Sequence, residues 1–376
     1  MYKGELQTPP LQHKKADSLE VMRQITAAQE RLRKSCRVLI GSLAVGATVV
    51  LAPSTVIGAD IENTKEALSH TQPIIHDIAE ARDSSSSSIN FFADGFATTD
   101  GSWNAGFQTS TIQDIDPGSV SAVEYDNDGI DVGTIASAIA DTVASRETAN
   151  EKPCVSLYGY SVGGRVVAKV MKVLYEKYGI ITRNATFDHT PVDASAVRET
   201  QRKDGDGKIA LINMFHTAGI DIEYSSIARG ILDKLFPNEI GYISSGLPLL
   251  RDQYLTAVTG SITDDLSYLN NIPEEDRPRI ISITSKDPAS DRMVDVARSS
   301  QVLEDFTEKN DMTFVSIAVD GAEHSRLDLS PSHYADAMSQ EKEVLAATDP
   351  SNRENSRQQD NLDSSYDASR QQDDKK

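Results

Sequence analysis

Cysteine is almost absent: Cys36 and Cys154 are the only two in 376 residues. Two thiols exclude a disulfide framework and a cysteine-rich zinc site. Aromatic residues are scarce, at 6%, yet 39% hydrophobic and 25% charged residues suit a globular core with polar appendages and argue against a wholly disordered or collagen-like chain. Positive charge is also short: 37 basic residues face 57 acidic ones, for a net charge of −20. Phosphate backbones are bound by Lys and Arg clustered on a face, so nucleic acid is not an expected partner.

The basic residues present are unevenly placed. Residues 1–37 hold eight of them against four acidic ones, a net of +4, and everything after is strongly acidic. Between Arg37 and Asp60 lies an uncharged run of 22 residues, 38–59, long enough for a helix of roughly 20 residues to cross a bilayer. Arg31, Arg33, Lys34 and Arg37 precede it; Asp60 and Glu62 follow it. Basic flanks stay in the cytoplasm, so the acidic body is expected outside it. A signal anchor is the favoured reading. A signal peptide cut near Gly58 or Ala59, giving a secreted body, is the alternative.

Beyond the run, 61–83 reads as a short helical stalk, and Ser84 to Ser88 as a flexible linker. The stretch 349–376 is polar and has little to bury, so disorder is expected there. The folded body is then 89–348, a length that suits one α/β domain. Strand-like runs (Ile89–Ala93, Ser121–Tyr125, Cys154–Tyr158, Ala185–Phe187, Ile280–Thr284, Thr313–Val319) alternate with helix-like ones (Ile135–Val143, Val162–Tyr178, Val294–Phe306, Tyr334–Ala347). Such alternation implies an α/β fold, a mostly parallel sheet with helices on both faces. Ligands of these sheets bind outside the carboxyl ends of the strands.

At one such end stands Gly159-Tyr160-Ser161-Val162-Gly163, between a strand and a helix. A serine lifted clear of a sheet needs a sharp, strained turn. Its neighbours two positions away must be small, so that strand and helix backbones can approach. The turn also directs the Val162 N–H, at a helix N-terminus, toward a developing oxyanion.

On this elbow and on the order of elements from Ile89 to Gln340, the chain resembles the α/β-hydrolase superfamily of serine esterases and lipases. The resemblance implies the order serine, acid, histidine. It places the general base at His324, in the loop after Thr313–Val319. It places the acid at Asp291, with Asp287 and Asp188 as alternatives. The second oxyanion donor would be the N–H of Phe96 or Ala97. Many relatives carry His-Gly where this chain has Asp94-Gly95. The family's first two strands are expected to be missing or replaced. Residues 192–277, with apolar stretches Ile209–Phe215, Ile227–Phe236 and Ile243–Leu250, are expected to form a helical cap insertion.

Two acidic turns, Asp126 to Gly129 and Asp204 to Gly207, imitate calcium loops but lack the closing carboxylate. Cys154 reads as a core residue, and no cofactor or metal is implied. The expected activity is hydrolysis of a small-molecule or lipid ester through an acyl-enzyme. The alternatives are acyl transfer by the same residues and a catalytically silent binding protein on the same fold.

Overall fold

The structure, a computed structural model, describes residues 54–68, 72–83, 86–96, 98–147, 153–203, 206, 224, 247–322, 324 and 331–350. Among the described residues, seven strands form one sheet in the order β1-β3-β2-β4-β5-β6-β7. They are β1 (Ile74–Ala79), β2 (Ile89–Ala93), β3 (Ser119–Glu124), β4 (Val155–Tyr160), β5 (Thr182–Asp188), β6 (Arg279–Ser285) and β7 (Phe314–Val319). All pairings are parallel except β1 against β3. The helices used below are α1 (Ser54–Leu68), α2 (Ser102–Ile115), α3 (Val132–Arg146), α4 (Val162–Tyr178), α5 (Leu247–Val258), α6 (Ile262–Leu266), α7 (Val296–Lys309) and α8 (Pro331–Ala347).

The central strands are buried on both faces, which is why β2 reads Ile-Asn-Phe-Phe-Ala without alternation. Successive side chains serve different layers: Phe91 enters one apolar cluster and Phe92 the other. The first cluster takes in α3, α4, α6 and α7 through Ile139, Val166, Ile262 and Leu303. The second takes in α2 and α8 through Ile112 and Met338. Helices therefore cover both faces. Asp131 starts α3 by accepting from the Gly133 and Thr134 N–H groups, and Gly179, at φ +61°, closes α4.

Two sequence expectations need correction. The stalk assigned to 61–83 is helical to Leu68 among its described residues, and its second half holds β1, which belongs to the sheet. One strand therefore does precede Ile89. Its polar residues hid it, because their partners are remote in sequence: His76 meets Glu124 at 2.6 Å, and Asp77 pairs with Ser121 and Arg146. The expected linker also ends inside the fold. Ser88 is buried, and its carbonyl accepts the Ser119 N–H. The second correction concerns Cys154. It is exposed just ahead of β4 rather than in the core.

β5 and β6 pair directly across residues 192–277, and the described parts of that insertion lie outside the sheet. The stretches Ile209–Phe215 and Ile227–Phe236, the membrane run as far as residue 53 and the tail from residue 351 lie outside the described residues. No helix among the described residues is long and apolar enough to cross a membrane.

Candidate active site

β4 ends at Tyr160 and α4 begins at Val162, leaving Ser161 alone in the turn at φ +52° and ψ −125°. That backbone conformation is costly for a side-chain-bearing residue. It persists because neighbours hold it: the Ser161 N–H donates to the Asp188 carbonyl at 2.7 Å, and the Ser161 carbonyl accepts from Gly164 N–H at 3.1 Å. The turn closes only because Gly159 is bare. A Cβ there would lie 2.3 Å from the Gly164 Cα. Ser161 is thus displayed at the carboxyl end of a central strand.

The loop after β7 brings His324 to it. The Ser161 Oγ lies 2.9 Å from His324 Nε2, and His324 Nδ1 lies 2.8 Å from Asp291 Oδ2. The other carboxylate oxygen of Asp291 accepts from the Met293 and Val294 N–H groups, both at 2.8 Å. Burial alone would raise this carboxyl. The hydrogen bond and charge of His324, the Val294 N–H and the charge of His189 outweigh burial and hold Asp291 below the usual carboxylate range.

The other two acid candidates are engaged elsewhere. Asp287 accepts from the Ala289 N–H in its own exposed turn. Asp188 is wholly buried among Tyr158, Tyr334 and His189. His333 lies against Gly321 rather than Ser161. Val162 opens α4, where the first N–H groups have no intrahelical acceptor. The loop after β2 lies against the serine: a Cβ on Gly95 would come 2.8 Å from the Ser161 Cβ. Phe96 follows directly, and Ala97 lies outside the described residues.

Sequence reasoning missed two supports of that loop. Asp94 is buried, accepting from the Gly95 N–H at 2.6 Å and from Asn104 at 2.7 Å. Gln253 on α5 is buried as well and donates to the Gly95 and Thr98 carbonyls at 3.2 and 2.9 Å. Arg165 on α4 reaches the same insertion, donating to the Val192 and Thr259 carbonyls and pairing with Asp265 at 3.3 Å. The Gln253 and Arg165 contacts have no local signal, because each spans more than 25 residues of sequence.

The mostly parallel sheet, the serine on a strained strand-to-helix turn and the chain order serine, aspartate, histidine decide the fold. This is an α/β-hydrolase-like fold. Among solved structures, similarity extends to an esterase from Pyrobaculum calidifontis, 14% identical, covering 78% of this chain and 92% of that one with a TM-score of 0.41. A thermostable carboxylesterase cloned from a metagenomic library is also 14% identical, with 81% and 98% covered and a TM-score of 0.42. A lipase-esterase related protein from Clostridium acetobutylicum is 12% identical, with 70% and 97% covered and a TM-score of 0.41. No family model and no curated protein matches the chain.

Asp94 carries a pH prediction. Burial, opposed by the Gly95 and Asn104 hydrogen bonds, raises its carboxyl to about 6. In the unfolded chain it loses its proton near the ordinary value of about 3.9. Between those values the folded state binds more protons, so stability falls as pH rises through the window and stays lost above it. Two units correspond to about 3 kcal/mol. Asp94→Asn keeps an oxygen for the Gly95 N–H and cannot ionise. It should match wild type in urea near pH 4 and exceed it by about 1–3 kcal/mol near pH 8. Equal midpoint differences at both pH values would show that Asp94 is not the titrating group.

Proposed function

We propose that this chain is a serine hydrolase that cleaves an ester-like bond, a carboxylester or lipid acyl bond, through an acyl-enzyme. The observation carrying this reading is the unbroken chain from Ser161 Oγ through His324 to Asp291, at 2.9 and 2.8 Å, on a strained elbow. Ser161 attacks the carbonyl while His324 Nε2 takes its proton. Asp291 holds the imidazole by Nδ1–H and stabilises the cation that forms. The Val162 N–H, together with that of Phe96 or Ala97, receives the oxyanion. His324 then protonates the leaving alcohol, and water, activated by the same imidazole, releases the acid.

The insertion at 192–277 serves in this reading as a cap over the acyl site. The reach of Gln253 to the loop beside Ser161 supports it. The uncharged run 38–59, basic before and acidic after, supports a membrane anchor that leaves the hydrolase domain outside the cytoplasm.

An imidazole-activated serine reacts with organophosphonates, whereas ordinary serines hardly do. The full-length protein should label once, at Ser161, and Ser161→Ala should not label. In intact cells, a membrane-impermeant phosphonate should label equally well before and after lysis. A folded protein that never labels points to a silent binding protein. Labelling only after lysis removes the outward topology and leaves the chemistry standing.

A further inference from the structure

A second serine–histidine–aspartate chain lies behind the first, and it has no access to solvent. Asp188 ends β5, His189 follows it and Ser285 ends β6; all three are buried. His189 Nδ1 lies 2.5 Å from Asp188 Oδ1, and His189 Nε2 lies 2.9 Å from Ser285 Oγ. Ser285 in turn donates to the Ala322 carbonyl at 3.0 Å. Ala322 stands two residues before His324, in the loop that delivers the imidazole to Ser161.

The hydrogens can be assigned by counting. A carbonyl only accepts, so the single Ser285 hydroxyl proton goes to Ala322. Ser285 Oγ must then accept from His189 Nε2–H. At the other end, the Tyr158 and Tyr334 hydroxyls both donate to the Asp188 carboxyl group. His189 Nδ1 then donates to that carboxylate. Both ring nitrogens are then placed to donate.

We infer that Asp188, His189 and Ser285 form a buried positioning relay, its histidine a fixed cation, that sets the loop carrying His324. The inference rests on the hydrolase reading of the Ser161 site. The two groups bonded to the His189 ring suit the charge. Asp188 pairs with it, and Ser285 accepts from it. The Tyr160 ring lies 6.2 Å away, and the His324 ring meets it edge-on at 5.8 Å. Burial alone would lower the basicity of His189; the charge and hydrogen bond of Asp188, with the charge of Asp291, raise it above the ordinary value. The backbone is held as tightly as the ring. His189 sits at φ +48°, with its N–H on the Ile283 carbonyl at 2.9 Å.

None of these groups touches the reacting atoms, so their removal should act through geometry. A displacement of about 1 Å at a reacting group costs on the order of 10²-fold in rate. Ser285→Ala leaves the Ala322 carbonyl and His189 Nε2–H unheld. It should lower kcat on a short acyl ester by roughly 10–100-fold with KM unchanged. Ser285→Thr, which restores a hydroxyl, should recover most of the loss.

Two NMR signals read the relay without turnover. In the wild type, both His189 ring nitrogens should be protonated at about pH 8, above the ordinary imidazole value of about 6.5. The downfield proton between His324 Nδ1 and Asp291 should broaden or vanish in Ser285→Ala. Wild-type kcat in a folded Ser285→Ala, with that proton signal intact, overturns the positioning role. A neutral His189 at that pH overturns the fixed cation. If the wild type itself neither turns over nor labels, the hydrolase reading has failed, and the proton signal alone then decides whether the relay holds the loop.

Discussion

Ser161→Ala should lower turnover of a short acyl ester by roughly 10⁴–10⁶-fold, and His324→Ala should do nearly as much. Both should do so without unfolding the domain. Ser161 makes its structural bonds through backbone N–H and carbonyl, which alanine retains. His324 lies in a loop after the sheet is complete. The double variant should be scarcely worse than either single one, because the two residues act as a unit. The acid series sharpens the test. Asp291→Ala should cost up to about 10⁴-fold, since the Nδ1–H of His324 loses its acceptor. Asp287→Ala should cost little, as its carboxylate serves only its own turn. Asp188→Ala should be the least stable of the three, because it strands two tyrosine hydroxyls and the His189 imidazole in the core. Kinetics and urea midpoints on the same preparations separate these outcomes. Equal losses at Asp287 and Asp291 would undo the acid assignment but leave serine and base in place.

The parts of this site that could be read in advance share one property: their signal is local. Glycines two positions either side of a serine, after an apolar strand and before Val162–Tyr178, describe the elbow without any tertiary knowledge, and α4 has the same limits in the structure. The residue after the last strand follows from element order. What stayed hidden depends on remote partners or on polar burial. Helix α2 gave no apolar stripe because Gln108, Thr111 and Gln113 share its buried face with Ala105, Ile112 and Ile115. β1 carries His76 and Asp77, whose partners lie on β3 and α3. β5 reads Thr-Arg-Asn-Ala-Thr-Phe-Asp, and only its Ala185–Phe187 part is legible as a strand; the polar start, Thr182 to Asn184, is not. Asn184 in it receives the Arg279 guanidinium, which also caps the Ile115 and Leu345 carbonyls. A buried arginine with these three acceptors cannot be told from a surface one by composition or spacing.

The elbow glycines give the second large effect, on stability rather than rate. A Cβ at Gly163 would lie 2.1 Å from the Ala93 carbonyl oxygen and 2.5 Å from that of Asp94. Both are backbone atoms at the end of β2, so no rotamer change relieves the clash; α4 and β2 must move apart. Overpacking usually costs about 1–3 kcal/mol, and contact with backbone on a central strand places Gly163→Ala at or above the upper end. The same displacement shifts Asp94 and Gly95, and with them the loop beside Ser161, so activity should fall even where the variant remains folded. Gly106, in the middle of α2, is the internal control. Nothing lies within 4 Å of its added Cβ, and alanine is favoured over glycine in a helix by about 0.5–1 kcal/mol. One chemical change, glycine to alanine, should therefore raise the urea midpoint at position 106 and lower it sharply at position 163. If Gly163→Ala were neutral, the close approach of α4 to β2 that places Ser161 would be wrong.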